Sequence, residues 1–341
     1  MKPAPFEYHA PSSAAEVVTL LAEFDEGGKV IAGGQSLLPM LALRLAYFDH
    51  LVDLRHVAEL RGIEQRGAGH DGTGHHGTGH HGAGHHGDSV WIGGATTQAV
   101  IGGSEVVAAA VPLLSRATPL IGHFQIRNRG TIGGSLAHAE ASAEYPAVVL
   151  ALDAVIETLS PRGRRAIPAA EFFTGIWSTA LEPDELLTGV EFPTWTRGAG
   201  AGDGSSCGFA VEEFARRPGD FAIAGAAVAV QVSGGRLTRC GIGLFGLGPT
   251  PLRATAAEAA LIGSTVIGST GINTSGGGDQ AREIGAAAME ELDSVPDDLH
   301  GSAGYRKRVG AAMVAAAWRR AIGEATASGV NGTASEGAGN G

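Results

Sequence analysis

At 341 residues the chain is long enough for two domains with their own cores, and its 44% apolar and 17% charged content is that of a soluble globular protein. A formal net charge of −11 argues against a nucleic-acid surface, which needs a basic stripe. Two cysteines, Cys207 and Cys240, cannot by themselves ligate an iron–sulfur cluster or a four-cysteine zinc, and no apolar run approaches the roughly 18 residues of a membrane helix.

The first predicted element is a helix. Pro11-Ser12-Ser13-Ala14-Ala15-Glu16 offers a Ser N-cap with an acid in the first turn, and Val17, Val18, Leu20, Leu21 and Phe24 follow before Gly27-Gly28. Lys29-Val30-Ile31-Ala32 is a short strand leading into Gly33-Gly34-Gln35-Ser36. Leu37 to Leu45 is helical despite Pro39, and His50-Leu51-Val52-Asp53-Leu54 is the next strand, which makes a β–turn–α–β unit.

Residues 67–88 break this texture. Five-residue Gly-His-His repeats hold His75, His76, His80, His81, His85 and His86, with nothing apolar larger than Ala, so an expanded insertion between two strands is expected. Such a tract also has affinity for Zn, Ni or Cu. The pattern resumes with strand Val90–Gly93, a helical stretch from Thr96 to Leu114, the segment Ile126–Gly130, and a second glycine turn, Thr131-Ile132-Gly133-Gly134-Ser135. Helix Tyr145–Leu152 and strand Asp153–Leu159 follow. Strands at meander spacing are expected at Leu186–Phe192, Cys207–Phe214, Ala224–Val232 and Leu237–Phe245, then helices at Gln280–Leu292 and Ser302–Ile322. The stretches 198–206, 263–278 and 325–341 are Gly/Ser-rich loops or tail.

The two glycine turns carry the chemistry. Glycine lets the main chain approach a ligand closely, and consecutive N–H groups converge on an oxyanion, so the pair suggests a pyrophosphate held between two loops. Gln35, Ser36, Thr131 and Ser135 are possible donors, and Glu144 is a possible acceptor for ribose hydroxyls or an exposed acid at a helix start. Arg127 and Arg129 either neutralise phosphate or stay solvated, and His138 either touches a ligand or packs as a neutral ring. The Walker lysine motif and His-Glu-x-x-His are missing. Gly-x-Gly-x-x-Gly occurs only in the histidine repeat and inside the expected strand at 241–246, and Gly-x-Ser-x-Gly only in the Gly/Ser-rich stretch at 204–208. None of them stands at a strand-to-helix turn, so redox chemistry would need a bound cofactor.

The segments Ala-Gly-Gly-Gln-Ser-Leu-Leu-Pro-Met (32–40) and Ile-Arg-Asn-Arg-Gly-Thr-Ile-Gly-Gly-Ser-Leu-Ala-His-Ala (126–139) resemble the FAD-binding medium subunit of molybdenum hydroxylases, the aerobic carbon monoxide dehydrogenase and xanthine dehydrogenase group. Arg216–Ala222, Gly246–Pro251 and His300–Arg306 match in the same order. The resemblance implies an α+β chain: a two-lobed FAD-binding domain of the PCMH type over residues 1–175, with 67–88 as its insertion, then a smaller α+β flavoprotein domain over 176–325 and a tail over 326–341. It implies that Ala32, Gly33, Gly34, Gln35 and Ser36 together with Thr131, Ile132, Gly133, Gly134 and Ser135 wrap the pyrophosphate and part of the flavin. Ile121 and Gly122 would line the cofactor, Glu144 stands where the family usually has Asp, and Leu187 would lie beside the isoalloxazine. The His–Gly repeat is not a family feature.

The resemblance further implies FAD in this chain, with molybdopterin and 2Fe–2S clusters in a large and a small partner subunit, assembled as a dimer of heterotrimers. No catalytic side chain and no resident metal are expected here, and nucleic acid and membrane insertion are not expected either. The N-terminal residues lack an apolar export core, which points to the cytoplasm and to reduced thiols. Two other readings stand beside this one. A self-contained FAD-dependent oxidase would often carry a covalent His or Cys near the first loop, where this chain has Gln35. A metal-binding or storage protein would act through residues 70–86.

Overall fold

Ser13 does start the first helix: its side chain accepts from the Glu16 N–H, and Ala14–Phe24 follows with Val17, Val18 and Leu21 buried. In the computed structural model, which describes residues 2–67, 88–195, 205–267, 271–272 and 279–333, two compact units emerge. The histidine repeat lies outside the described residues, as do most of the 198–206 and 263–278 stretches and the end of the tail.

The first unit comprises residues 1–107, 121–140 and 153–193. Its smaller sheet is parallel, with β3 (His50–Asp53) between β1 (Glu7–His9) and β2 (Gly28–Ile31). β1 is too short and too exposed for an alternating pattern to reveal it. The first helix packs Ala14, Val17, Val18 and Leu21 against Val52, Leu54, Val57 and Leu60. Leu37–Ala42 is helical as expected, because Pro39 falls in the first turn, where its missing N–H costs nothing.

The larger sheet of this unit is antiparallel, in the order β4 (Ile63–Arg66), β5 (Ser89–Gly93), β10 (Leu186–Pro193), β6 (Val155–Ser160), β7 (Gly163–Pro168). The strand Leu186–Phe192, expected to open the later meander, is instead the centre of this sheet. Every residue of β10 is buried, which is the signature of a strand covered on both faces. A short hairpin, β8 (Phe173–Gly175) with β9 (Ser178–Thr179), precedes it. Within this sheet Arg66 pairs with Glu157 at 2.7 Å, and the Trp91 indole N–H donates to the same carboxylate at 2.8 Å.

The second unit comprises residues 108–120, 141–152 and 194–341. Its sheet is an antiparallel meander of β11 (Ser205–Phe214), β12 (Ala224–Ser233), β13 (Arg236–Phe245) and β14 (Leu252–Arg253). Along β13, Cys240, Ile242 and Leu244 join the core with the helices Thr255–Leu261, Gln280–Glu290 and Ala303–Thr333. The alternating Gly241 and Gly243 face the helix Glu144–Ala151, where a Cβ would overlap the carbonyls of Ala151 and Ala147.

The single helical stretch expected from Thr96 to Leu114 divides into Gln98–Gly102, Glu105–Ala110 and Pro112–Ala117. Gly102-Gly103 ends the first of these and Pro112 opens the third, so local backbone chemistry overrides the apolar pattern.

Candidate functional site

The strand β2 delivers the chain into Ala32–Ser36, and the helix Leu37–Ala42 carries it away. Between them Gly34 takes φ +73°, a left-handed conformation that glycine adopts at little cost. No carbonyl or side chain among the described residues accepts from the N–H groups of Gly33, Gly34, Gln35 or Ser36. Gly33 is buried and the other three are half-buried. Four consecutive unpaired donors in such a place call for an external acceptor, and a phosphate oxyanion meets that need. The Gln35 side chain turns back on its own turn, its Nε2 donating to the Gly33 carbonyl at 3.1 Å.

The second glycine segment differs from its expected form. Thr131 is an N-cap, and Ile132–His138 is a helix, so Gly133-Gly134-Ser135 forms a first helical turn instead of an open loop. Its N–H groups are already engaged: Ile132 donates to Thr96 O, Gly133 to Gly94 O, Gly134 to Thr131 Oγ1 and Ser135 to Thr131 O, at 2.9 to 3.2 Å. These donors serve the fold, and only the Ser135 hydroxyl has no partner among the described residues.

The glycines of this segment serve close packing. A Cβ on Gly33 would overlap the carbonyl of Arg129, and one on Gly134 would press on Ala32 Cβ at 3.2 Å. The two glycine segments predicted to act together are therefore in contact, backbone against backbone. A third pair, Gly93-Gly94, completes the stack. A Cβ on Gly133 would lie 2.6 Å from Gly94 O, and one on Gly94 would lie 2.7 Å from Leu187 O. The Gly94 N–H also donates to Thr188 O at 2.8 Å. Leu187 is thus brought to the same cluster, with its side chain buried and a β-bulge beside it at Thr188.

Gly93-Gly94 escaped the reading of the sequence, although the signal was there. Val90-Trp91-Ile92-Gly93-Gly94 repeats the strand-then-Gly-Gly pattern of Val30-Ile31-Ala32-Gly33-Gly34.

Ile121 and Gly122 form a half-buried loop in which Gly122 takes φ +46°. Arg127 Nη1 donates to the carbonyls of both, at 2.8 and 3.0 Å. Its guanidinium thus fastens the loop, a role outside the two expected of it. His138 stacks on Trp177 with ring centroids 6.3 Å apart, and burial lowers its pKa, so the ring is a neutral packing partner. Trp177 Nε1 in turn donates to Glu140 at 2.9 Å.

Glu144 belongs to the second compact unit, as the first residue of its fully buried helix. Burial raises its pKa to about 8, with the charge of Glu213 adding to the push, and burial raises Glu213 itself to about 7. The expectation of an exposed acid at a helix start therefore fails. Of the two cysteines, Cys207 donates to the Trp195 carbonyl at 3.1 Å and Cys240 is buried with its thiol pKa pushed well up, and neither is in a disulfide.

Comparison with known proteins agrees with this geometry. Residues 4–71 and 80–195 match the profile of the FAD binding domain in molybdopterin dehydrogenase, and residues 209–321 match the CO dehydrogenase flavoprotein C-terminal domain. The chain is 35% identical over 324 residues to the carbon monoxide dehydrogenase medium chain of Hydrogenophaga pseudoflava, covering 94% of this chain and 99% of that one. It is 37% identical over 318 residues to the 6-hydroxypseudooxynicotine dehydrogenase complex subunit alpha of Paenarthrobacter nicotinovorans, covering 92% and 93%. Among solved structures, carbon monoxide dehydrogenase from Hydrogenophaga pseudoflava superposes with a TM-score of 0.80 at 36% identity, covering 96% of this chain and 99% of that one. An α+β chain with this glycine stack, an FAD-binding domain and full-length relatives of this kind belongs to the FAD-binding medium subunits of the molybdenum hydroxylases.

Proposed function

We propose that this chain holds FAD non-covalently, with the diphosphate on the N–H groups of Gly33–Ser36, and serves as the electron outlet of a heteromeric molybdenum hydroxylase in the cytoplasm. The observation that carries this reading is the run of four unpaired donors beside backbone that only glycine can bring so close. When bound, FAD supplies the redox chemistry, accepting electrons from iron–sulfur clusters of a partner and passing them to an external acceptor.

Every other task falls to the chain's own residues. Gly33 and Gly34 let the main chain approach, and Arg127 holds the Ile121–Gly122 loop in the shape that lines the cofactor. Thr131 caps the helix whose Gly134 lies against Ala32, and Ser135 offers a hydroxyl. Gly94 and Leu187 complete the stack. No nucleophile paired with a base occurs among these residues, so the protein's part is to bind, orient and exclude water.

The clusters and the molybdenum centre are assigned to a small and a large partner subunit, in a dimer of heterotrimers. Two cysteines, one buried and one bonded to a carbonyl, do not make a cluster site. Relatives of nearly equal length carry names with unlike substrates, carbon monoxide and 6-hydroxypseudooxynicotine, so substrate choice is assigned to the large subunit.

The test is anaerobic addition of substrate to the complex and to the FAD-loaded chain alone. Bleaching of the flavin band near 450 nm in the complex only is the expected result. Bleaching in the isolated chain would establish the self-contained oxidase instead.

A further inference from the structure

Glu7 and His9 lie two residues apart on β1 and so share one face of the parallel sheet, and His50 on β3 is the register partner of Glu7. His9 Nε2 is 3.2 Å from His50 Nδ1, and Glu7 Oε2 is 3.5 Å from His50 Nδ1 and 4.0 Å from His9 Nε2. We propose that these three residues form a binding site for a divalent transition-metal ion of the Zn²⁺ type, clipping the first strand to the third.

The geometry carries the proposal. The one point in the plane of these three atoms that is equidistant from them lies about 2.1 Å from each, which matches Zn–N and Zn–O bond lengths. Two imidazoles and a carboxylate are donors that suit Zn²⁺, Ni²⁺ or Cu²⁺ and disfavour Mg²⁺ and Ca²⁺. A fourth position stays open for water, as in three-ligand zinc sites.

The donors are also held in place. The Glu7 N–H donates to Asp49 O at 2.7 Å, and Tyr8, pointing to the opposite face, donates to Asp53 at 2.8 Å, which fixes the register of β1. Phe24 stacks on the His50 ring at 3.8 Å and 10°, so that imidazole has a set orientation before any ion arrives. The side chains of both histidines are about one-quarter exposed and that of Glu7 is 74% exposed, which leaves an entry path. Without metal the two facing ring nitrogens share a hydrogen bond, one donating and one accepting. An ion takes both facing nitrogens once the donating ring adopts the tautomer that carries its proton on the other nitrogen.

The site is independent of the flavin reading and of the histidine repeat, and the experiment separates all three. Zn²⁺ is titrated by calorimetry into the FAD-loaded full chain whose seven histidines from His70 to His86 are replaced by Ser. One equivalent is expected to bind and to raise the melting temperature reversibly with a chelator, and Co²⁺ in its place is expected to give the visible bands of a low-coordinate site. His9→Gln and His50→Gln are each expected to weaken binding by at least about tenfold. Should either fail to fold, Glu7→Gln serves: its exposed side chain can change without disturbing the metal-free melting temperature, and binding is still expected to weaken. Absence of a stoichiometric site, or a site that His9→Gln or Glu7→Gln leaves unchanged in a folded chain, overturns the proposal.

Discussion

Gly33 is the residue on which the proposed flavin site turns. Its missing side chain admits the Arg129 carbonyl, and its N–H begins the unpaired run. Gly33→Ala is expected to cost more than tenfold in FAD affinity, read by fluorescence quenching of added flavin. Gly34→Ala meets a different penalty, a left-handed φ of +73°, worth roughly 1–2 kcal/mol of stability by denaturant melting. Both glycines were legible in the sequence because a strand followed by Gly-Gly has few other uses. The role of Arg127 was not, since no spacing rule says whether a guanidinium will reach a phosphate or its own loop.

Glu144 yields a prediction in pH. Its carboxyl titrates at about 8 in the folded chain and near 4.5 when unfolded, so between these values the native state holds the extra proton. Stability is therefore full below pH 4.5 and falls as pH rises through 8, at about 1.4 kcal/mol per pH unit inside the window. Glu213, raised to about 7, steepens the fall between 4.5 and 7. Glu144→Gln is expected to flatten the curve in chemical melts of the FAD-free chain across pH 5 to 8. An unchanged slope would mean that Glu144 is ionised in the fold.

Among the elements, the helix Ile132–His138 shows where local reading stops. Thr131-Ile132-Gly133-Gly134 looks like a turn because two glycines disfavour helix by about 1 kcal/mol each. Tertiary contacts override that preference: the Thr131 cap and the Gly94 carbonyl hold the first turn, and only glycine fits beneath them. Thr131→Ala is expected to destabilise the chain by about 1 kcal/mol while Thr131→Ser restores it, measured by urea unfolding. β10 was assigned to the wrong neighbours for a related reason. A fully buried strand carries no alternation to say which sheet it joins, and its pairing with β5 spans nearly a hundred residues of sequence. In that sheet, Glu157→Ala leaves the Arg66 guanidinium and the Trp91 N–H without their shared acceptor and is expected to cost about 3 kcal/mol.

For the molecule as a whole, the sequence made the class plain and left the assembly implicit. The α+β composition, the glycine pairs and the scarcity of cysteine all follow from residue types and spacing. The short strand β1, the third glycine pair and the burial of Glu144 are products of long-range packing and have no local signature. The chain's relatives are medium chains and subunits of dehydrogenase complexes, which is the setting the proposed electron path requires. The first requirement of that path is the flavin itself.

The most direct measurement is the visible spectrum of the purified chain after incubation with FAD and gel filtration, repeated on the supernatant after acid precipitation. One flavin per chain, released in full by acid and lost in Gly33→Ala, is the predicted result. A colourless protein would contradict the account, and flavin retained in the acid pellet would replace it with a covalent one.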